Sequence, residues 1–98
     1  MTINKELNGS ALTLAIEGRL DTVTAPELEA VVKSDLQGVT DLTIDMEKLE
    51  YVSSAGLRVL LAAHKAMMTQ GSMKLVNVNE TVMEVFELTG FSDILNVE

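Results

Sequence analysis

Residues 42–57 read LTIDMEKLEYVSSAGL, and the change of period inside this stretch decides the fold. Leu42, Ile44 and Met46 alternate with Thr43 and Asp45, the period of a half-buried strand. From about Ser54 to Thr69 the apolar positions Leu57, Leu60, Leu61 and Met67 or Met68 recur at helical spacing instead. Glu47 to Tyr51 reads as the linker between the two. Gln70-Gly71-Ser72 then ends the helix, and Met73 to Val78 reads as the next strand. Strand, helix and strand in this order form a crossover unit, which predicts parallel pairing.

Upstream, Ile3 to Leu7 and Leu12 to Ile16 are strand-like, with Leu12, Leu14 and Ile16 on one face. Asn8-Gly9 between them predicts a two-residue type I′ hairpin turn. The polar loop Gly18 to Val23 follows. Thr24-Ala25-Pro26-Glu27 combines a capping box with Pro in the first turn, so a helix begins there. Its stripe is Leu28, Val31, Val32 and Leu36, and Gly38 closes it. Downstream, Asn79-Glu80-Thr81 caps a last helix with Val82, Val85 and Phe86 inward, and Gly90 ends it ahead of Phe91. Ile94 to Val97 is expected to add a short final strand. The expectation is one α/β domain over residues 1–98: a mixed, largely parallel sheet packed with helices, opened by an N-terminal hairpin. In such folds ligands and partners meet the carboxyl ends of strands. The loop 18–23 and the turn 50–54 both lie there.

Composition narrows the functions. Apolar residues make up 47% of the chain, with one Pro and six Gly, which describes an ordered core. There is no Cys, so thiolate nucleophiles, disulfides and thiolate metal sites are excluded. Seven basic against fifteen acidic residues give a net charge of −8, the wrong sign for phosphate backbones or anionic lipid surfaces. The same charge opposes self-association and predicts a monomer when free. The N-terminus carries no apolar signal segment, and no apolar run approaches the ~20 residues of a membrane span. A cytoplasmic domain without direct membrane contact is expected.

The candidate chemistry sits at Ser53-Ser54. A serine at a strand-to-helix junction caps the helix by accepting an N–H bond from the following turn. The functional alternative is modification. A phosphate on Ser54 would meet the positive end of the helix macrodipole and leave the fold intact, so its effect would fall on a docking partner. Hydrolase chemistry needs a base. His64, the sole histidine, is ten residues along the same helix, roughly 15 Å of axis away. Asp21, Asp41, Asp45 and Glu47 lack metal-ligand spacing, and Gly56 and Gly71 form no phosphate loop. Glu27, Glu29, Lys33, Glu84 and Glu87 read as solvated helix faces. No catalytic residue, metal or cofactor is expected.

Three segments carry a family resemblance: DMEKLEYVSSAGL at 45–57, GRLDTVTAPEL at 18–28 and LTGFSDIL at 88–95. Together they resemble the STAS domains, in order and over nearly the whole chain. Free-standing members of this length are similar to bacterial anti-sigma factor antagonists. The resemblance implies a partner-switching module: unmodified, it binds an anti-sigma factor that is also a serine kinase, freeing a sigma factor. Phosphorylation releases it, and a metal-dependent serine/threonine phosphatase resets it. The family's acceptor falls on Ser54, with Ser53 as the alternative. Many antagonists have Asp immediately before the acceptor, where this chain has Ser53. Ala55 stands where a second Ser or Thr is frequent. By resemblance, Asp21, Thr22, Ser53, Ser54, Leu57 and Arg58 form the partner-binding surface. STAS adaptor subunits of membrane transport complexes use the same fold and supply the alternative function. A nucleotide-binding activity is the third, and the missing phosphate loop argues against it.

Overall fold

A computed structural model describes all residues, 1–98. The strands are β1 (Thr2–Asn8), β2 (Ala11–Leu20), β3 (Asp41–Asp45), β4 (Leu49–Val52) and β5 (Ser72–Val76). The helices are α1 (Ala25–Asp35), α2 (Ser54–Met68) and α3 (Glu80–Thr89), followed by a single 3₁₀ turn at Phe91–Asp93. The sheet runs β1-β2-β3-β5, with β4 joined to β2. β1 and β2 are antiparallel, whereas β2/β3, β2/β4 and β3/β5 are parallel. The expected mixed, largely parallel sheet with an opening hairpin is therefore present.

Register explains the core. Leu14 stands opposite Ile44, which stands opposite Leu75, and Leu12, Leu42 and Met73 form the adjoining row. All six are buried, and the helices add Leu28, Leu60, Met67, Val82 and Phe86 to one cluster of 25 residues. The alternate positions Thr13, Thr43 and Lys74 face away from that cluster and stay at least partly accessible. One face of the sheet is thus packed under helices and the other is polar, which is why period-two alternation was visible in β2 and β3.

Four local expectations change. The hairpin loop is Gly9-Ser10, because Asn8 already pairs with Ala11. Only Gly9 has positive φ (61°), the requirement of a type II′ turn rather than I′. Most of the presumed linker 47–51 is β4, which pairs with β2 through a register shift: Gly18 faces Leu49 and Arg19 faces Tyr51, so Glu50 is the extra residue. The burial order of β4 is in, out, out, in, so alternation could not reveal it. Thr24 has helical backbone angles and makes no capping bond, unlike Ser53 and Asn79. Finally, the expected C-terminal strand reduces to one parallel bridge between Val97 and Leu75. The left-handed Gly90 (φ 80°) ends α3 as anticipated.

Candidate functional site

The parallel pairing of β2 with β4 ends at Leu20 opposite Val52. Both strands therefore deliver the next residues, Asp21 and Ser53, side by side at one end of the sheet. The Ser53 N–H donates to the Leu20 carbonyl at 2.9 Å and ties the two segments together. Gly56 lies one turn into α2, where a methyl group would come within 2.6 Å of Leu20 Cγ. Its lack of a side chain lets α2 start directly against the end of β2.

The two serines have different surroundings. Ser53 is half-buried and extended, and its Oγ accepts the Gly56 N–H at 3.4 Å, a long capping bond. Ser54, the first residue of α2, is exposed, and its hydroxyl is engaged by no neighbour in the chain. Capping is thus the work of Ser53, which leaves Ser54 free at the surface.

Asp21 organises the neighbouring loop. Its Oδ1 accepts N–H bonds from Val23 at 3.0 Å and Thr24 at 3.1 Å, and Ala25 N–H reaches the Asp21 carbonyl at 2.7 Å. The Thr24 hydroxyl donates to the Arg19 carbonyl at 2.6 Å, which explains why it does not cap α1. The Thr24 N–H bond holds the Asp21 carboxyl below the usual carboxylate range; the Val23 N–H, the Thr24 hydroxyl and the Arg19 charge add to this, against partial loss of hydration. A lowered pKa in the folded state means stabilisation that is present above the unfolded value and lost as pH falls through the folded one. Asp21→Asn is therefore expected to flatten the acid limb of stability. Urea midpoints measured from about pH 5 downward should fall less steeply than in the parent. Asp35, held low by Lys5, keeps its own share in both proteins. Parallel curves would remove the assigned role of the carboxylate.

Thr22 is exposed beside this loop, and Arg58 is exposed one turn into α2. Both line a shallow groove between α1 and α2 with Ala25, Pro26, Glu29 and Ala55. Leu57 corrects the sequence reading: it is 4% exposed and belongs to the core, so it supports α2 and presents nothing to a partner. Sequence reasoning also missed a stacked pair. Arg19 and Tyr51 are cross-strand neighbours, and the guanidinium carbon lies 4.4 Å from the ring centroid while its Nε is 3.6 Å from Asp21. Val23, 84% exposed in the same loop, adds apolar surface. The only signals were the chain's one Tyr and an isolated Val in a polar loop.

The STAS domain pattern matches residues 2–98. This chain belongs to the STAS domain family. The anti-sigma-B factor antagonist of Bacillus subtilis is 35% identical over 101 residues, spanning 99% of this STAS domain and 92% of the relative. Among solved structures, an anti-sigma factor antagonist from Mycobacterium paratuberculosis superposes with a TM-score of 0.88 at 24% identity, covering 98% of this chain and 83% of that one. The Bacillus cell fate determinant SpoIIAA in its phosphorylated form gives 0.76 at 19% identity, over 99% and 91%. Both structural likenesses concern the fold. No helix of this STAS domain is long and apolar enough to cross a membrane.

Proposed function

We propose that this STAS domain is an anti-sigma factor antagonist switched by phosphorylation of Ser54. Unmodified, it binds an anti-sigma factor that is also a serine kinase, and so frees a sigma factor. The observation that carries this reading is the exposed Ser54 at the first position of α2, beside the Asp21 loop and clear of the capping role that Ser53 fills. Kinship with relatives named as antagonists at 35% identity supports it over the transporter-adaptor alternative. In the switching step the Ser54 oxygen attacks the γ-phosphorus of ATP in the kinase. A new O–P bond forms, the bond to ADP breaks, and the hydroxyl proton passes to a base on the kinase. A metal-dependent serine/threonine phosphatase reverses it by hydrolysis. The domain itself is a substrate and a binding module rather than an enzyme, acting in the cytoplasm as a monomer.

The first-turn N–H groups and the helix dipole favour an anion at Ser54, so phosphorylation leaves the fold standing. Intact-mass analysis after incubation with the host's anti-sigma kinase and ATP tests the assignment. One phosphate, placed on Ser54 by fragmentation and absent in Ser54→Ala, is expected. A phosphate on Ser53 would move the site. No phosphate, with an active kinase on another substrate, would retire the switch.

A further inference from the structure

Arg58 stands four residues after Ser54 on α2, so the two occupy the same helix face one turn apart. Long side chains in a helix lean toward its N-terminus, over the turn that precedes them. From this position the Arg58 side chain can reach back over the turn that carries Ser54, and the intervening i−3 residue is Ala55, which has only a methyl group. The cation is also uncommitted. The ion pairs of the molecule are Lys5–Asp35, Arg19–Asp21 and Lys33–Glu29, and none includes Arg58. One carboxylate lines the groove with it, Glu29 of α1, and the nearest acidic residue of the loop after β2 is Asp21, one position before the groove residue Thr22. Both already have partners: Lys33 for Glu29, and Arg19 with the Val23 and Thr24 N–H groups for Asp21.

We infer that Arg58 is the internal clamp for a phosphate on Ser54. The guanidinium pairs with the phosphoryl oxygens, favours the dianion over the monoanion, and holds the group against the first turn of α2. This deepens the proposed switch and rests on Ser54 being the acceptor. It gives modification two effects on the docking surface. The phosphate adds negative charge, and it withdraws Arg58, the one cation lining the α1–α2 groove, from any partner that reads it. A partner would then distinguish the two forms by a lost contact as well as by an added repulsion.

The test uses the full chain with phosphoserine encoded genetically at position 54, so it needs no kinase and stands apart from the switch itself. Phosphorus NMR follows the second ionisation of the phosphate with pH. Arg58→Met is expected to raise its midpoint by about 0.3–0.7, because losing the cation disfavours the dianion. Arg58→Lys keeps the charge without the planar fork and should fall between. Lys65→Met removes the same charge from the exposed last turn of α2 and should leave the midpoint in place. Coincident curves for the parent and Arg58→Met overturn the clamp. Equal shifts for Arg58→Met and Lys65→Met also overturn it, since the effect would then be net charge. Failure of a kinase to modify Ser54 would count against the switch and leave this titration unaltered.

Discussion

Gly71→Ala is expected to destabilise the domain by about 3 kcal/mol or more, since the added methyl group would collide with backbone. A Cβ at Gly71 would sit 1.9 Å from the Thr40 carbonyl oxygen and 2.7 Å from its carbon, in the segment that enters β3. No side-chain rotation relieves that contact. The same oxygen accepts the Ser72 N–H at 2.9 Å, the bond that starts β5 against β3, while the Gly71 N–H closes α2 onto Met67 at 2.7 Å. Gln70 reinforces the crossing by donating to the carbonyls of Leu36 and Val39. Separating the two backbones would disturb all of these together and shift Met67 and Met73, both buried. Domains of this size are stable by only about 5–15 kcal/mol, and each kcal/mol moves the melting temperature by roughly 4–8 °C. A melt followed by circular dichroism should therefore fall by about 12 °C or more. Gly56→Ala provides the comparison: its clash is chiefly with the Leu20 side chain, which can shift, although the Leu20 carbonyl is 3.0 Å away. It should be the milder of the two. A Gly71→Ala protein melting with the parent would mean that the two backbones do not pack this closely.

The close approach at Gly71 was invisible in the sequence, where the residue reads only as the end of a helix. What could be read were features that repeat along the chain. Alternation at Leu12-Leu14-Ile16 and Leu42-Ile44-Met46 followed from a sheet buried on one face, and the stripe in α2 followed from a helix lying on it. β4 was hidden because Glu50 and Tyr51 are both exposed between buried Leu49 and Val52, an order with no period. Yet β4 is what brings the site together. Its pairing with β2 sets Ser53 beside Asp21, two residues that the sequence joined by the general tendency of strand ends to carry function and by the family resemblance, without a contact to connect them. Thr24 misled for a related reason. A capping box specifies residue types, but here Asp21 and the Arg19 carbonyl compete for its hydroxyl and win. Leu57 failed as a surface residue because nearness in sequence to Ser54 does not fix exposure; three positions on, a helical residue is turned about 60° away from its neighbour, and here that turn takes it inward.

Ser54→Asp is expected to weaken binding to the proposed anti-sigma kinase by about 30-fold or more while leaving the domain folded. Ser54 is the first residue of α2, where acidic side chains are favoured by about 0.3–1 kcal/mol through the free N–H groups and the helix dipole. Its hydroxyl supports no other contact, and the cap on Ser53 is untouched. The melting temperature should therefore hold or rise slightly. Binding is a different matter, because a carboxylate enclosed by an interface without a partner loses its hydration. The penalty is about 2–5 kcal/mol, or roughly 30-fold to several thousandfold in affinity. Asp carries one charge against the ~1.5–2 of a phosphate, which places it toward the lower end. Arg58 can offset part of this by turning onto the new carboxylate, but it then leaves the docking surface, so the relief and the loss come from the same motion. Ser54→Asn separates charge from shape, being nearly isosteric with Asp and neutral. Calorimetric titration of the kinase should show Asn binding within a few-fold of the parent and Asp beyond about 30-fold weaker. If Asn and Asp weakened binding equally, bulk rather than charge would close the surface, and the electrostatic account of the switch would fall.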